Sequence, residues 1–398
     1  MEKKEKAPVL RFKDTNGKDY PAWEQRKLEE LASKFTGGGT PNTSNPNYWN
    51  GEIPWIQSSD LKEDDVLSLT VKKHISQEGL ENSAAKIVPK NSLVIVTRVG
   101  VGKLVVNNQE IATSQDFLSL SGIKGDSRFL AYSLYSLLKK NSRRVQGTSI
   151  KGITKVDFLK ETILIPSLEE QEKISSCMVE IDKLITLHQR KLEALKKLKR
   201  TLLQKMFPKK GHLKPELRFF GFTNDWELRK LGELGRAVSG VGFPEGEQGG
   251  IRGIPFYKVS DMSSTGNENI ISFANNYVTE VQIRKRKWKV ITTLPAILFA
   301  KVGAAINLNR KRLCNQPFLI DNNMMAFLLN PHLDSGFAKT VFEKINMPDF
   351  VRVGALPSIK GSDIECYDVF IPKEMSEQKK LGSFFKDLDT LITLHQRE

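Results

Sequence analysis

The sequence has few of the residues that build redox, metal or membrane sites. Its three cysteines, Cys177, Cys314 and Cys366, lie far apart without ligand-like spacing. This argues against a zinc site and a disulfide framework and fits a reducing cytosol. No run of 18 apolar residues is present, and the charged start lacks the apolar stretch of a signal peptide. We therefore predict a cytoplasmic protein.

Signatures of catalysis are missing as well. There is no His-Glu-x-x-His pair, no Gly-x-Ser-x-Gly and no carboxylate cluster repeated along the chain. Asn45-Pro46-Asn47-Tyr48 differs from the Asn-Pro-Pro-Tyr box of amino-methyltransferases at its third position. Gly102-Lys103 lacks the upstream glycine of a phosphate-binding loop. We expect no catalytic site, bound cofactor or metal in this chain; a nuclease with two recognition arms is the enzymatic alternative.

Positive charge is what the sequence has in excess. There are 61 Lys and Arg against 46 Asp and Glu, a formal net charge of +15. This balance is typical of proteins with a polyanionic partner, either nucleic acid or an anionic membrane surface. Hydrophobic residues make up 39% of the 398 residues, enough for packed cores in two or three domains. A soluble scaffold protein whose basic face is incidental is the alternative.

Five segments recur in the same order about 200 residues apart. The opening Trp23-Glu24-Gln25-Arg26-Lys27-Leu28 has its counterpart at 226–231, and the heptapeptide 184–190 (LITLHQR) returns unchanged at 391–397. The matches between them pair Ile53-Pro54-Trp55 and Ser59-Asp60-Leu61 with Ile254-Pro255-Phe256 and Ser260-Asp261-Met262, Arg98-Val99-Gly100 with Lys301-Val302-Gly303, and Ser149-Ile150-Lys151-Gly152 with Ser358-Ile359-Lys360-Gly361. The offsets drift only from 201 to 209, which indicates a duplicated domain with insertions in its loops.

Each copy consists of a mixed, mostly-β domain followed by a helix. Turn residues separate short apolar runs at 92–97 and 295–300, and a short helix is expected over Phe129–Lys140. The predicted fold class is α+β: two globular mostly-β domains joined by two long antiparallel helices that form an intramolecular coiled coil. The predicted divisions are an N-terminal segment 1–22, a first domain 23–167, a helical spacer 168–213, a second domain 214–372 and a distal helix 373–398.

A heptad pattern predicts the spacer helix from Glu169 to Phe207, with Ser167 as its N-cap and Pro208 at its end. The distal helix starts after Ser376 and is shorter. The two seams comprise Ile174, Met178, Ile181, Ile185, His188, Leu192, Leu195, Lys199, Leu202 and Met206, and then Leu381, Phe385, Leu388, Ile392 and His395. Pairing within the chain is favoured over pairing with another chain. Because no third ligand is near, His188 and His395 are interpreted as a polar pair that sets helix register, not as a metal site.

This duplicated order of domain and helix resembles the specificity subunit of type I restriction–modification systems. The resemblance covers the whole chain and rests on the two Trp-Glu-x-Arg-Lys-Leu-x-Glu-Leu openings, the Ile-Pro and Ser-Asp segments, and the leads into Glu170-Gln171 and Glu377-Gln378. It implies two target-recognition domains that each read half of a bipartite double-stranded DNA site. It also implies helices that set the gap and dock two modification subunits, and restriction subunits that complete the endonuclease. S-adenosylmethionine, ATP and magnesium would bind those partners. The distal helix here is shorter than the family pattern.

Basic residues beside glycines are the candidates for DNA contact, because small residues let the backbone approach a phosphate. The candidates are Gly38, Thr40, Ser59, Arg98, Gly100, Lys103 and Lys151 in the first copy and Lys258, Ser260, Arg284, Arg286, Lys287, Lys301, Gly303 and Lys360 in the second. As an alternative to DNA contact, the glycine segments would recur because they form a turn that the fold requires. The alternative for the Ser-Asp pairs is that they cap a helix. The basic run 284–289 has no basic counterpart at 84–87, so it grips DNA in the second half-site alone or is a solvated turn. The basic stretch 191–214 could likewise follow phosphates, face solvent or meet an acidic partner.

Overall fold

The computed structural model describes residues 8–144, 154–351 and 357–397. The chain divides into two compact units, residues 1–184 and 185–398, and the division falls inside the long helix. The domain boundaries predicted from the sequence, at 167 and 213, lie before and after that helix and not within it.

The first unit folds into three small sheets. Its strands are β1 Glu24–Lys27, β2 Ala32–Gly37, β3 Trp49–Ile56, β4 Lys73–Ile75, β5 Ile87–Val88, β6 Leu93–Val96, β7 Leu104–Val106, β8 Ile111–Thr113, β9 Phe117–Ile123 and β10 Thr162–Ile165. The strand orders are β2-β9-β6-β7, β4-β3-β8-β5 and β1-β10. The pairing of β3 with β8 is parallel, and the other pairings in these sheets are antiparallel.

Three helices accompany these strands before the long one. They are α1 Gln77–Glu81, α2 Ser127–Arg144 and α3 Lys155–Lys160, and the long helix α4 spans Leu168–Lys205. Helix α2 extends beyond the predicted Phe129–Lys140 at both ends. Its start is defined by Asp126, whose carboxylate accepts a hydrogen bond of 2.7 Å from the Phe129 amide.

The second unit repeats this arrangement. Its strands are β11 Glu227–Lys230, β12 Gly235–Ser239, β13 Ile254–Tyr257, β14 Tyr277–Val278, β15 Ala296–Ala300, β16 Lys311–Cys314, β17 Leu319–Ile320, β18 Met324–Leu329 and β19 Asp368–Ile371. The sheets β12-β18-β15-β16, β14-β13-β17 and β11-β19 match the three of the first unit, including one parallel pair, β13 with β17. Its helices are α5 Leu231–Leu234, α6 Glu280–Arg286, α7 Ser335–Lys344, α8 Gly361–Glu365 and α9 Met375–Arg397. The duplication seen in the sequence is therefore a duplication of topology.

A fully apolar strand lies inside each main sheet and serves two cores at once. Successive side chains on a strand point to opposite faces. Leu93 and Ile95 of β6 accordingly pack with α2, whereas Val94 and Val96 pack in a separate cluster. In β15, Ile297 and Phe299 face the core that contains α7, and Ala296 and Leu298 face another. This explains why both strands are continuous apolar runs rather than alternating ones.

The long helix α4 has 38 residues, a length of about 57 Å at the usual rise. It begins after Ser167, whose hydroxyl accepts a 3.4 Å hydrogen bond from the Glu170 amide, as the sequence predicts. It ends at Lys205, two residues earlier than predicted.

Within residues 185–398, α9 packs antiparallel to the last part of α4. The imidazole rings of His188 and His395 are 5.7 Å apart, and farther along, Lys199 pairs with Asp389. Residue numbers therefore increase along α4 where they decrease along α9, which is the mark of an antiparallel pair. The intramolecular pairing of the two helices is confirmed for this part of the chain.

Several residues of the predicted seam pack against the globular domains and not against the other helix. Leu381 and Phe385 are buried in the core of the second domain with Phe337 of α7, and Ile174 packs against the core of the first domain. Met178, Ile181 and Ile185 of the predicted seam are 41%, 44% and 49% exposed, so the seam is not covered over this part of α4. His188 of α4 packs beside His395 of α9, and His395 lies two residues before the last described residue of α9.

Candidate nucleic-acid interface

An open cavity of about 760 Å³ lies at one edge of the main sheet in the first unit. Gly37 pairs with Leu118 and Val96 with Phe117, so the carboxyl ends of β2 and β6 both lie at the start of β9. The cavity is lined by Gly37, Gly38, Thr97, Arg98, Val99, Gly100, Gln115, Phe117, Leu118, Thr154 and Lys155. Three predicted DNA contacts, Gly38, Arg98 and Gly100, are therefore brought together although 60 residues separate the first from the others.

Arg98 and Gly100 are exposed on the loop after β6. Gly100 has a φ of +86°, which only glycine adopts easily. Lys155 opens α3 on the other side of the cavity. Two cationic side chains thus border an open concavity, and the Lys155 amine also donates a 3.3 Å hydrogen bond to the carbonyl of Phe35. Cations at such a rim are the residue type that neutralises the phosphates of a nucleic acid. The predicted contact Lys151 lies outside the described residues.

Gly38 serves the packing of the domain. A Cβ built on it would lie 2.1 Å from the carbonyl oxygen of Ser114, and one on Gly240, at the matching place in the second unit, would lie 1.8 Å from that of Asp321. Gly38 directly follows β2 and Gly240 directly follows β12. Without a side chain at these positions, the backbone can pass close to a neighbouring backbone segment. Their recurrence thus has a steric cause in both copies.

We expect Gly38→Ala to destabilise the first unit by about 1–3 kcal/mol, because the backbone oxygen cannot move away as a flexible side chain would. Gly37→Ala is the control, since a Cβ there meets nothing within 4 Å, and it should change stability by no more than about 0.5 kcal/mol. Urea unfolding of the two variants measures the difference. Equal stability of both variants would contradict the steric role.

Two other candidates in the first unit have partners within the protein. The amine of Lys103 donates a 3.2 Å hydrogen bond to the carbonyl of Leu61, and the hydroxyl of Thr40 pairs with Gln115, itself a lining residue of the cavity. Lys103 therefore holds the loop after Leu61. Thr40 orders the cavity rim.

The Ser-Asp pairs cap short 3-10 helices. The buried carboxylate of Asp60 accepts a 2.9 Å hydrogen bond from the Gln57 amide. The carboxylate of Asp261, also buried, accepts one of 2.7 Å from the Lys258 amide. The capping interpretation therefore holds for both aspartates. Ser59 and Ser260 remain exposed beside them, while the amine of Lys258 donates 2.9 Å to Gln248.

In the second unit, two repeated motifs that are far apart in sequence lie side by side. The Gly303 amide donates a 2.9 Å hydrogen bond to Pro357, and the Ile359 amide donates one of the same length to Lys301. Val302 and Ser358 form an antiparallel bridge. The predicted contacts Lys301 and Gly303 therefore adjoin Lys360, which is exposed.

The basic run of the second unit is a short capped helix, α6. Thr279 caps its start, and Lys287 ends it in the left-handed conformation with φ of +54°. Arg284, Lys285 and Lys287 are exposed. Lys289 lines a cavity of about 220 Å³ with Ser239 and Gly240. The run is an ordered surface rather than a loose turn.

A buried carboxylate holds α6 in place. Glu247, only 7% exposed, accepts 2.9 Å from the Gln282 amide group and 2.8 Å from Nε of Arg286. These hydrogen bonds, from Gln282 and then Arg286, lower the pKa of Glu247. Arg286, a predicted DNA contact, is therefore engaged as a tether. Beneath α6, Trp288 packs edge-on against the stacked rings of Phe243 and Phe256.

The first unit has the same helix with the opposite charge. Ser76 caps α1 as Thr279 caps α6, at an offset of 203 residues. Helix α1 carries Glu78 and Glu81 and no cation. The two copies thus present surfaces of opposite sign at one equivalent place, as expected if the halves approach their partner differently.

Each copy has one buried ion pair, at the start of its helix, that was not predicted from the sequence. The guanidinium of Arg11 binds both carboxylate oxygens of Glu170, at 3.0 and 2.7 Å, and that of Arg218 binds both of Glu377, at 2.7 and 2.8 Å. The signal was the repeated Leu-Arg-Phe at 10–12 and 217–219. The duplicated unit therefore begins before Trp23, inside the predicted N-terminal segment.

The glutamines beside these glutamates tie each helix to its domain. Gln171 accepts 3.0 Å from the Asp126 amide and donates 2.9 Å to Pro166. Gln378 does the same with Asp334 and Pro372, at 3.0 and 3.1 Å. The Glu-Gln lead into each helix is thus a structural joint.

Among the remaining helix candidates, Leu192, Leu195, Leu202 and Ile392 are half-buried, and Leu388 is buried. A charged cluster joins α4, α7 and α9: Lys339 lies 2.8 Å from Asp389, and Lys199 lies 2.5 Å from Glu343. Burial alone would raise the pKa of Asp389, but the two lysines outweigh it and hold that pKa below its ordinary value.

Within the described ranges, no group of three or more His, Cys, Asp or Glu side chains is placed to hold a metal ion. No helix in those ranges is long and apolar enough to cross a membrane.

The geometry defines a duplicated protein in which each copy carries an open basic rim on a small β domain anchored to a helix. A family model described as the type I restriction modification DNA specificity domain matches residues 21–197 and again 223–398. The chain belongs to this family, and its function is DNA sequence recognition in a type I restriction–modification system.

Curated relatives carry the same description. The chain is 26% identical over 386 residues to the type I restriction enzyme MjaIX specificity subunit of Methanocaldococcus jannaschii, a match that covers 92% of this chain and 87% of that protein. It is 27% identical over 171 residues to the EcoR124I/EcoR124II specificity subunit of Escherichia coli, covering 40% and 41%.

Solved structures agree in fold. The S subunit of a type I restriction–modification system from M. genitalium matches with a TM-score of 0.59 at 15% identity, covering 98% of this chain and 94% of that one. A chain from a study of complex assembly in the type I system matches with a TM-score of 0.54, also at 15% identity, over 95% and 93%. The fold class predicted from the sequence is confirmed.

Proposed function

We propose that each recognition domain reads one half of a bipartite double-stranded DNA site and that the chain has no catalytic activity of its own. The observation that carries this proposal is a basic rim in each copy: Arg98 and Lys155 around a cavity in the first, and Lys301, the repeat equivalent of Arg98, beside Lys360 in the second. Readers of separate half-sites in the major groove need spacings near one helical turn, roughly 34–36 Å. A domain that recurs with altered loops suits two half-sites of different sequence.

The helices supply the gap between half-sites and the docking surface for two modification subunits, and restriction subunits complete the endonuclease. S-adenosylmethionine, ATP and magnesium bind those partners in this proposal, and the complex works in the cytoplasm. The joints at Glu170-Gln171 and Glu377-Gln378 support a rigid coupling of each domain to its helix. A rigid coupling is what a ruler between two readers requires.

A protection experiment on DNA tests the proposal. The chain assembled with its modification subunits should protect two short specific stretches separated by an indifferent gap. Inserting four residues into α4 would lengthen it by about 6 Å and should widen the preferred gap by about two base pairs. A continuous footprint would contradict the bipartite site, and an unchanged gap would contradict the ruler.

The enzymatic alternative is tested with the chain alone. Metal-dependent cleavage of DNA by the purified chain, without partner subunits, would show that it is a nuclease. Affinity for DNA should also fall steeply with ionic strength, because bound phosphates release counterions. Binding that is insensitive to salt would favour a scaffold.

A further inference from the structure

A carboxamide side chain lies at the same exposed turn in both copies. Gln115 lies between β8 and β9 and lines the cavity of the first unit together with Arg98. Asn322 lies between β17 and β18 of the second unit. Both residues are exposed. Neither belongs to one of the five segments that recur in the sequence, so their equivalence is visible only in the fold.

The residue before each carboxamide is bound to the same neighbouring strand. The Ser114 amide donates a 2.9 Å hydrogen bond to the carbonyl of Ile56, the last residue of β3. The Asp321 amide donates one of 3.0 Å to Tyr257, the last residue of β13. Strands β3 and β13 each take part in the parallel pair of their unit. The turn therefore leaves that pair at the same point in both copies.

The residue after each carboxamide is bound to the segment that carries the basic rim. The carbonyl of Asp116 accepts a 2.8 Å hydrogen bond from the amide of Thr97, directly before Arg98. The carbonyl of Asn323 accepts one of the same length from the amide of Lys301. Each carboxamide is therefore held close to a cationic residue at the edge of its main sheet.

The neighbouring side chain, and not the carboxamide, stabilises each turn. The hydroxyl of Ser114 accepts a 3.4 Å hydrogen bond from the Asp116 amide, and the carboxylate of Asp321 accepts one of 3.2 Å from the Asn323 amide. Such a bond from a side chain to the backbone two residues on is what orders a tight turn. The two carboxamides are therefore left available to a partner.

The carboxamide of Gln115 is also oriented. The hydroxyl of Thr40 donates a hydrogen bond to its Oε1. One lone pair of that oxygen and both hydrogens of Nε2 remain for a partner. Asn322 is one methylene shorter, and among the described residues its side chain has no hydrogen-bond partner. Each side chain thus offers a donor and an acceptor together.

A donor beside an acceptor matches the major-groove edge of adenine. Adenine presents the acceptor N7 and the amino group N6 there, and a Gln or Asn carboxamide binds both at once. Phosphate contacts fix the register of a protein on DNA, whereas contacts to base edges carry the sequence information. A carboxamide next to a cation can therefore read a base while the cation binds the backbone.

We propose that Gln115 and Asn322 each read one adenine in the major groove, Gln115 in the half-site of the first domain and Asn322 in that of the second. Arg98 and Lys301 beside them contact phosphates. This assignment rests on the half-site function proposed above. It adds to that function the side chain that determines the sequence preference at one base pair in each half.

Binding selection from a library of random double-stranded DNA tests the assignment. The full chain is assembled with its modification subunits, and the bound DNA is sequenced. Gln115→Ala should lower the preference for adenine roughly tenfold at one base pair of one half-site, and Asn322→Ala should do so at one base pair of the other. The preferences at all other positions, and the affinity for the unselected library, should change little.

Gln115→Glu gives a readout that a purely structural role would not change. Glutamate has nearly the same size as glutamine but offers only acceptors, so it pairs with the amino group of cytosine. The preference at the same base pair should therefore change from adenine to cytosine. Since both side chains are exposed, circular dichroism should report unchanged folding for all three variants.

The matched control is Gln109→Ala. Gln109 is an exposed glutamine in the turn between β7 and β8. Val106 at the end of β7 pairs with Leu93 at the start of β6, so this turn lies at the end of the main sheet away from the cavity. Removal of this carboxamide should leave every base preference unchanged.

Three outcomes would overturn the proposal. They are unchanged preferences in Gln115→Ala and Asn322→Ala, a loss of affinity for all DNA alike without a loss confined to one base pair, and a loss at a G·C pair. A single continuous site selected by the wild-type complex would instead contradict the bipartite function. In that case, a preference lost at one adenine in Gln115→Ala would still support the role of Gln115.

Discussion

Replacing Arg284, Lys285 and Lys287 together by alanine is expected to weaken DNA binding on the order of 100-fold near 0.1 M salt. All three side chains are exposed on or directly after α6. Arg284 lies 3.5 Å from Glu280 and Lys285 lies 4.0 Å from Glu247, but the hydrogen bonds that hold the helix to Glu247 come from Arg286 and Gln282. Each phosphate contact contributes about 0.9 to the slope of log affinity against log salt concentration. The slope should therefore fall by about 3, and the loss should shrink as salt rises.

The control removes three ion-paired cations of the same unit that lie outside α6. Arg229, Lys230 and Lys373 lie in the same unit and form ion pairs with Glu233, Asp368 and Glu227. Their joint replacement by alanine should change affinity only a few-fold. Equal losses in both triple variants would mean that net charge, and not the surface of α6, determines affinity. Footprints should show protection lost first over the half-site that the second domain reads.

Replacing Arg218 by methionine should lower the free energy of unfolding by about 3–5 kcal/mol. The carboxylate of Glu377 is only 2% exposed and receives two hydrogen bonds from Arg218 and a longer one, 3.3 Å, from Trp226. The hydrogen bonds from Arg218 to Glu377 raise the pKa of Arg218. Without the guanidinium, a buried charge loses its counter-ion, and desolvation is no longer offset.

Two variants separate this effect from the loss of an ordinary surface pair. Arg229→Met breaks the ion pair with Glu233, in which the two side chains are 39% and 46% exposed. This variant should lower the free energy of unfolding by no more than about 1 kcal/mol. The double variant Arg218→Met with Glu377→Met should recover much of the loss, because apolar side chains of similar size need no counter-ion. Urea unfolding measures all three. A loss below about 1 kcal/mol for Arg218→Met alone would contradict the buried role.

Several features could be predicted because their signals are local or repeated. The heptad pattern located α4 to within two residues at each end, and the five repeated segments identified a duplicated fold. The apolar runs at 92–97 and 295–300 became β6 and β15, the strands that separate two cores. The sequence also singled out Gly38 as a candidate DNA contact, although the reason for that glycine, a neighbouring carbonyl oxygen, is not visible in the sequence.

Other features required the folded chain. The sequence left open whether the Ser-Asp pairs read bases or cap helices, and the burial of Asp60 and Asp261 decided for capping. Arg286 belongs to a basic run like its neighbours, yet it is bound to Glu247, 39 residues away. Arg11 was assigned to a terminal segment because its partner, Glu170, is 159 residues away.

Periodicity along the chain was sufficient for helices, strands and the duplication, because these depend on the spacing of apolar residues and on identity between the copies. Burial depends on which distant residues meet. Met178 and Phe385 occupy the same repeat position, but only Phe385 is covered, since Phe207 and α7 pack against it. The buried pairs of Arg11 with Glu170 and of Arg218 with Glu377 are likewise consequences of such long-range contacts.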